Sequence, residues 1–235
     1  MMNFVKYPNL PQKKTNLFIT SAVLDKQILP PSVPKLENTI RFHADLGICH
    51  IGGSRFVTAK NTFEYYKERL KGAELICGNT TIESPYPLDA SYCAAVFGKY
   101  AAANEKITDR VLLELLKSEY IFIDVNQGYA KCNICPITQN AVITEDSGIA
   151  KVLMNYVDVL LIEKGHIRLP GYAYGFIGGA AGMIDKDVLF INGSIKKHPD
   201  RDKICGFLKK YNVKLKEASE IEPKDVGSII PVFEE

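Results

Sequence analysis

Apolar and polar residues along the chain repeat one order of elements about every 40 residues: a hairpin, an amphipathic helix and then a strand. The first complete unit begins at Ile48 and turns at 52–53 into a second strand at 54–58. An amphipathic pattern predicts a helix near 62–71, and a strand follows at 74–77. The same order then returns along the chain.

The second unit shows the helical pattern most clearly. Its hairpin starts at Tyr92 and turns at 98–99, and the helix is predicted to begin after a Thr108 cap. A β-branched and aromatic run at 120–125 closes the unit as a strand. Four apolar side chains fall on one face of the helix: Val111, Leu112, Leu115 and Leu116.

Two further units have the same order. The third starts at Cys132, turns at 139–140, enters a helix near Ser147 and closes with a strand at 157–162. The fourth starts at Tyr174 and passes a tight turn between strands at Gly178 and Gly179. Its later elements are a strand at 188–191, a helix near 200–210 and a strand at 212–216.

The spacing of three cysteines indicates that one unit has been duplicated. Cys49, Cys93 and Cys132 fall at comparable points of the first three units. The chain ends add an N-terminal strand at 17–23 and a C-terminal strand at 228–233, whose pattern matches the start of the third unit. Pairing of these two strands closes a ring and removes exposed sheet edges. An open α/β sheet is the alternative.

We therefore predict one α/β domain over residues 1–235, built from five units. The boundaries of the four complete units fall near 48–91, 92–131, 132–173 and 174–221. The fifth unit combines 222–235 with 1–47.

Composition and charge are those of an ordinary globular chain and indicate no macromolecular partner. Lys and Arg total 29 against 27 for Asp and Glu, a net charge of +2, which favours neither nucleic acid nor a membrane surface. The longest apolar stretch near the middle, 156–162, contains Asp158 and is far shorter than the roughly 20 residues of a membrane span. Residues 1–16 lack a signal-like apolar segment, so we expect a cytoplasmic protein with six reduced cysteines.

Two stretches resemble the pentein, or guanidino-group-modifying, superfamily: VNQGYAKC at 125–132 and GFIGGAAG at 175–182. They are similar to a small uncharacterised bacterial branch related to arginine deiminases and dimethylarginine hydrolases. The resemblance implies a pentein-type five-bladed α/β propeller of ββαβ units with pseudo-fivefold symmetry, its fifth unit closed by the N- and C-terminal strands. It also implies a Cys-dependent hydrolase or amidinotransferase acting on a small guanidino or amidine compound.

By this resemblance Cys132 is the candidate nucleophile, because KCNICPI at 131–137 is similar to the nucleophile strand of arginine deiminases. His43 and Asp45 resemble their His-x-Asp pair, with His43 as general acid/base and Asp45 as its orienting carboxylate. Their i, i+2 spacing puts both side chains on one face of an extended segment. A guanidinium carbon is a poor electrophile, so attack requires a thiolate, and the charge of Lys131 favours one.

The loops that enter each unit converge at one end of such a ring and carry the remaining candidates. Asp89 is predicted to pair with a cationic small-molecule substrate through charge-assisted hydrogen bonds. Gln127, Lys131 and Tyr174 are predicted to contact the same substrate. Two more residues of these loops face the same end: Tyr172 and Asp225.

Two positions depart from the superfamily pattern. Ala180 stands where the Phe-x-Gly-Gly-Asp motif has its substrate-binding Asp, and Gly227 stands at the position of the usual nucleophile in the last unit. These departures favour an alternative, a non-catalytic pentein that binds a partner or acts as a scaffold after losing the family nucleophile. A third alternative is other chemistry in the same pocket, with Ser228 or Lys131 involved.

No metal site and no cofactor is predicted. Cys132 and Cys135 form a CxxC pair, but neither a second CxxC nor HxxxH supplies the other ligands of a structural zinc site. The glycines at 175–182 match neither the P-loop nor the dinucleotide-binding spacing. The other histidines are interpreted as packing or surface residues: His50, His166 and His198.

Overall fold

The computed structural model describes residues 3–235, so the first two residues of the predicted fifth unit lie outside it. The strands are β1 (Asn3–Phe4), β2 (Thr15–Ile19), β3 (Gln27–Ile28), β4 (Ile48–His50), β5 (Arg55–Thr58), β6 (Glu74–Cys77), β7 (Ala95–Phe97), β8 (Tyr100–Ala103), β9 (Ile121–Asp124), β10 (Ile134–Thr138), β11 (Ala141–Thr144), β12 (Asp158–Leu161), β13 (Ala181–Asp185), β14 (Val188–Ile191), β15 (Lys214–Glu217) and β16 (Ile230–Glu234). The helices are α1 (Ala44–Gly47), α2 (Phe63–Arg69), α3 (Arg110–Glu119), α4 (Ala130–Asn133), α5 (Ser147–Leu153), α6 (Ile177–Ala180) and α7 (Arg201–Lys210).

Each of the four complete units consists of an antiparallel hairpin, a helix, and a strand that runs parallel to the second strand of the hairpin. In the first unit β4 pairs with β5, placing Ile48 opposite Thr58, and β6 pairs parallel to β5. Helix α2 makes the crossover that a parallel connection requires. The sheets β7-β8-β9, β10-β11-β12 and β13-β14-β15 have the same order. The predicted ββαβ repeat is confirmed.

Both ends of the chain share the fifth sheet. Its strand order is β1-β16-β2-β3, so the C-terminal strand lies between two N-terminal strands. Strand β16 pairs antiparallel with β2, placing Ile230 opposite Ile19, and β1 pairs with the other edge of β16. Residues 3–235 thus form five small sheets in the arrangement of the pentein α/β propeller, and the fifth is closed by the two termini as predicted.

Hydrophobic clusters join each sheet to the next. Phe56 of the first sheet packs in one cluster with Val232 of the fifth. A second cluster joins the first sheet to the second, and a third spans the second, third and fourth sheets. Phe190 of the fourth sheet packs with Ile229, directly before β16. Apolar burial therefore continues from unit to unit and closes the ring, in contrast to the open-sheet alternative.

A capping side chain determines where α3 begins. Asp109 accepts hydrogen bonds from the amides of Val111 and Leu112 at 3.0 and 3.4 Å. The predicted Thr108 cap is wrong, because the Thr108 hydroxyl donates to the Asn104 carbonyl oxygen, and Asp109 caps the first amides of α3 instead.

Among the described residues, no helix combines the length and the apolar character that a membrane crossing needs.

Three one-turn helices, α1, α4 and α6, lead directly into the first strands of the first, third and fourth units. Their registers match, because each following strand begins opposite the last residue of its partner strand. The segment around Gly178 and Gly179 therefore forms the helical turn α6 rather than the predicted tight turn between strands. Positions in the three turns can be compared directly.

This register corrects the predicted cysteine repeat. Cys132 lies in α4, two residues before β10, whereas Cys49 is the second residue of β4. Cys49 therefore corresponds to Cys135, the second residue of β10. Leu46 takes the place of Cys132 in the first unit.

Glycine is required where α6 packs against α4. A Cβ built on Gly178 would lie 2.7 Å from the Cys132 carbonyl oxygen and would also meet the carbonyl oxygens of Lys131 and Ile134. Backbone carbonyl groups cannot move aside as the end of a flexible side chain can. Any larger residue at position 178 therefore pushes two units apart.

We expect Gly178→Ala to destabilise the protein by about 3 kcal/mol, because it overpacks a contact between backbones. For a chain of this length the melting temperature falls by roughly 6–12 °C. Gly206→Ala is the matched control, since a Cβ at this exposed position of α7 meets nothing within 4 Å and alanine favours helix. Thermal melting followed by circular dichroism measures both, and equal melting temperatures would contradict the close approach of α4 and α6.

Candidate active site

A cavity of about 100 Å³ lies beside the one-turn helices α1 and α4. It brings together an imidazole, a thiol and a carboxyl group, those of His43, Cys132 and Asp225. Aromatic rings form much of the remaining wall: Tyr129, Tyr172, Tyr174 and Phe176. The cavity therefore collects chemically active side chains from the third and fifth units.

Asp45 is hydrogen-bonded to the candidate nucleophile. Its Oδ2 accepts a hydrogen bond from Cys132 Sγ at 3.0 Å and another from the Ser228 hydroxyl. These partners differ from the prediction, in which Asp45 orients His43. The reason is the helical turn α1, because the extended backbone ends at His43 and Asp45 is already helical, so the alternation that would put both side chains on one face is broken.

Two neighbours keep Cys132 a neutral thiol. Its Sγ lies 3.6 Å from the sulfur of Cys93 and 3.0 Å from Asp45 Oδ2. The hydrogen bond with Cys93, then burial and the negative charge of Asp45, raise the pKa of Cys132 well above its ordinary value. The predicted activation by Lys131 is therefore outweighed in the free protein.

Lys131 is a buried counter-charge and is not part of the cavity lining. Its Nζ donates to Ser228 Oγ at 3.2 Å and to the Gly178 carbonyl oxygen at 3.3 Å. Because Ser228 in turn donates to Asp45, one hydroxyl links the ammonium group to that carboxylate. Lys131 and Asp45 occupy matching positions of α4 and α1. Lys131 therefore contacts Ser228 and Gly178 inside the protein, and not a substrate as predicted.

The Asp225 carboxyl group lies beside the His43 ring, with 3.9 Å between His43 Nδ1 and Asp225 Oδ1, and the charge of Asp45 also acts on that ring. Asp225 accepts hydrogen bonds from the amides of Phe176 and Gly227 at 3.0 and 2.9 Å. Burial raises the pKa of Asp225 to about 6 and lowers the pKa of His43. At neutral pH the imidazole is therefore neutral and can accept a proton.

Two glycines explain the departures from the superfamily pattern. Gly227 has φ +71°, and a Cβ there would collide with His43. A cysteine at position 227 is therefore incompatible with the position of His43. Gly179 lies against Asp225 so closely that a Cβ would overlap its carboxyl group. Asp225 thus brings a carboxylate next to Ala180, where the family motif has its Asp.

The predicted substrate contacts are only partly brought together. Asp89 accepts a hydrogen bond from the Tyr129 hydroxyl at 2.8 Å and reaches the cavity through that ring. Gln127 faces Asp146, with 3.5 Å between Nε2 and Oδ2, in a neighbouring cavity of about 410 Å³. Tyr174 lines both cavities. Of these three residues, Tyr174 alone contacts the space beside Cys132.

Glu145 is a buried carboxyl group in the neighbouring cavity. Its Oε1 accepts a hydrogen bond from the Ile177 amide at 2.7 Å, whereas Oε2 meets no hydrogen-bond partner among residues 3–235. Burial raises the pKa of Glu145 to about 8. No motif marks this residue, because its environment comes from α6, which is distant in sequence.

The cavity is also lined by Tyr129, a residue that the repeat indicates although no motif does. Tyr129, His43 and Phe176 precede α4, α1 and α6 at the same position, and all three line the cavity. Once the three turns are aligned position by position, the repeat therefore identifies Tyr129 as a residue of the cavity. Cys93 shows no such signal, because its unit enters β7 without a helical turn.

A family model matches residues 19–230 of this chain, and its description is a family of unknown function, DUF6873. The chain belongs to this family. A comparison with curated protein sequences found no match.

Solved structures similar to the DUF6873 chain include two amidinotransferases. SxtG, from Microseira wollei in the saxitoxin biosynthetic pathway, is 13% identical with a TM-score of 0.47, and the match covers 74% of this chain and 61% of SxtG. The inosamine-phosphate amidinotransferase StrB1 from Streptomyces griseus is 11% identical with a TM-score of 0.46, covering 77% of this chain and 63% of StrB1. The DUF6873 chain thus spans less than two thirds of the length of either enzyme.

We expect the buried Glu145 carboxyl group to make the DUF6873 protein less stable as the pH rises from 6.5 to 8. The pKa of Glu145 is about 8 in the folded chain and about 4.3 in the unfolded one, so the folded state holds an extra proton in this window. The free energy of unfolding then falls by at most roughly 1.4 kcal/mol per pH unit. Above pH 6.5 Asp225, with a pKa of about 6, is largely ionised and adds little. Burial lowers the pKa of His50 to about 4 and also lowers the pKa of His43, so these neutral rings add stability as the pH rises towards 7 and partly offset the effect of Glu145.

Glu145→Gln removes this titration, so with rising pH between 6.5 and 8 its melting temperature should fall less, relative to its value at pH 6.5, than that of the wild-type protein. Glu114→Gln, at an exposed position of α3, is the matched control and should keep the wild-type slope. Thermal melting at four pH values measures all three proteins. An unchanged slope in Glu145→Gln would show that this carboxyl group does not retain its proton.

Proposed function

We propose that this protein is a Cys-dependent hydrolase or amidinotransferase that acts on a small guanidino or amidine compound. One observation carries the proposal: Cys132, His43 and Asp225 open into a single cavity with aromatic walls. A nucleophile, an acid/base and a carboxylate are the groups that displacement at a guanidinium carbon needs.

The cavity suits a planar cation. Asp225 offers a carboxylate for charge-assisted hydrogen bonds, and the faces of Tyr129, Tyr172, Tyr174 and Phe176 offer cation–π contacts. A bound cation also lowers the pKa of a neighbouring thiol, since opposite charge favours the thiolate. The substrate itself thus reverses the effect that Cys93 and Asp45 have on Cys132 in the free protein.

The proposed reaction assigns each group a step. The Cys132 thiol proton passes to the neutral His43 imidazole as the sulfur attacks the guanidinium carbon. The imidazolium then donates that proton to the leaving amine, and a thiouronium intermediate remains on sulfur. A water molecule or an acceptor amine gives His43 a proton as it attacks the same carbon, and the imidazolium returns that proton to the Cys132 sulfur as the sulfur leaves. Asp45 positions the thiol through its 3.0 Å hydrogen bond, and Asp225 takes the place beside His43 that was expected for Asp45.

The alternative function is binding without catalysis. A neutral Cys132 thiol, hydrogen-bonded to Asp45 and in contact with Cys93, favours it, because such a thiol is inert as long as no cation enters. The two functions differ in one measurable property. Only the enzyme needs a Cys132 that becomes reactive next to a small cation.

We expect Cys132 to be alkylated preferentially by the cation 2-chloroacetamidine. The neutral analogue 2-chloroacetamide serves as the matched reagent, and the exposed Cys77 thiol of the same chain serves as the internal reference. The rate ratio of Cys132 to Cys77, followed by peptide mass spectrometry at pH 7, should be at least about tenfold higher with the cation, because it gains a charge-assisted contact with Asp225.

Asp225→Asn should bring the two ratios close together, whereas Asp202→Asn, an exposed carboxylate of α7, should leave them unchanged. Circular dichroism confirms that each variant is folded before labelling. Equal ratios for the two reagents in the wild-type protein would contradict the enzymatic function and favour binding without catalysis.

A further inference from the structure

The described residues contain one group of metal-ligating side chains from different units. One ligand atom each of Asp45, Cys93 and Cys132 lies within 4.8 Å of the others, and all three residues are buried. We propose that these side chains form a Zn²⁺ site. The site requires no catalytic role for Cys132 and goes beyond the proposed function.

The distance between the sulfur atoms fits a shared metal ion. Two thiolates bound tetrahedrally at about 2.3 Å from Zn²⁺ lie roughly 3.8 Å apart. The sulfurs of Cys93 and Cys132 are 3.6 Å apart, so they need to move very little. A disulfide requires about 2.05 Å between the same atoms. The spacing therefore favours a metal ion over a covalent bond.

Asp45 supplies the third ligand. Its Oδ1 is buried and meets no hydrogen-bond partner among the residues that the structure describes. Buried polar atoms in proteins are almost always paired, so an unpaired carboxylate oxygen beside two thiols needs an explanation. A carboxylate oxygen and two cysteine sulfurs are all ligands that Zn²⁺ accepts.

Charge and protons balance at this site. Each thiol loses its proton when it binds, so one Zn²⁺ enters and two protons leave. Two thiolates and one carboxylate then exceed the charge of the ion by one negative charge. The buried ammonium group of Lys131, linked to Asp45 through Ser228, compensates for that charge.

The cavity provides access and room for a fourth ligand. Cys132 lines it, so an ion enters from that side and can keep a water molecule as its fourth ligand. A sulfur bound to Zn²⁺ cannot attack a substrate. Metal binding and nucleophilic use of Cys132 therefore exclude each other.

Sequence spacing does not show this site. The two thiols are separated by 39 positions, whereas the conspicuous CxxC pair consists of Cys132 and Cys135. Cys135 lies in β10 within the hydrophobic core and is not part of the group. The prediction of no metal site rested on the absence of a compact ligand motif. A site assembled from three units needs no such motif, so that prediction does not exclude it.

The test uses Co²⁺ as a spectroscopic probe for Zn²⁺ in the reduced, full-length protein. We expect one Co²⁺ per chain, with the thiolate-to-cobalt absorption band of a tetrahedral site, and displacement of Co²⁺ by Zn²⁺. Cys93→Ala and Cys132→Ala should weaken binding on the order of 100-fold or more, beyond the loss seen when a group only supports a ligand. Cys49→Ala, which removes another buried thiol, is the matched control and should bind normally.

X-ray absorption of the zinc-loaded wild-type protein tests the ligand set without any variant. Two sulfur atoms at about 2.3 Å with two lighter atoms support the proposal. A ligand shell without sulfur, or cobalt absorption that persists in Cys93→Ala, overturns it. A reduced protein that binds no Co²⁺ and instead cross-links Cys93 to Cys132 in air also overturns it. None of these results depends on the alkylation of Cys132 by a cation.

Discussion

A carboxyl group buried in a protein needs hydrogen bonds or opposite charge to replace the water it has lost. At the junction of the repeats, Oδ2 of Asp45 meets this requirement through Cys132, Ser228 and, beyond the serine hydroxyl, Lys131. Cys132 belongs to the third unit, Ser228 to the fifth and Lys131 to the second, and Lys131 also donates to Gly178 in the fourth. One buried polar network therefore ties four repeats together and fixes the turns that carry the candidate site.

Close backbone packing is the second constraint, and it accounts for the unusual distribution of site residues. The turns approach so closely that Gly179 and Gly227 have no space for a Cβ. The Asp225 carboxyl group and the His43 backbone and side chain occupy that space instead. The proposed nucleophile and the carboxylate beside His43 therefore come from other positions of the ring than those in the superfamily pattern. Pseudo-symmetry permits the exchange, because α1, α4 and α6 are equivalent turns of different repeats.

Much of the fold follows from local patterns. Alternating strands, turn residues and the amphipathic helices predict the ββαβ order, and the similarity of the tail to the third unit predicts the closing strand pair. The helical turns α1, α4 and α6 are not predicted, because four residues are too few to show a period. That omission changes the site, since His43 and Asp45 share a face only in an extended segment.

The sequence by itself determined the five-unit ring and identified Cys132, His43 and Tyr174 as residues of one cavity. Tertiary structure alone decided that Cys93 and Asp45 contact the thiol, that Lys131 is buried, and that Asp225 accompanies His43. The reason is physical. Hydrophobic period is a local property that neighbouring residues display, whereas the protonation of a thiol depends on burial and charges contributed by units far away in the chain.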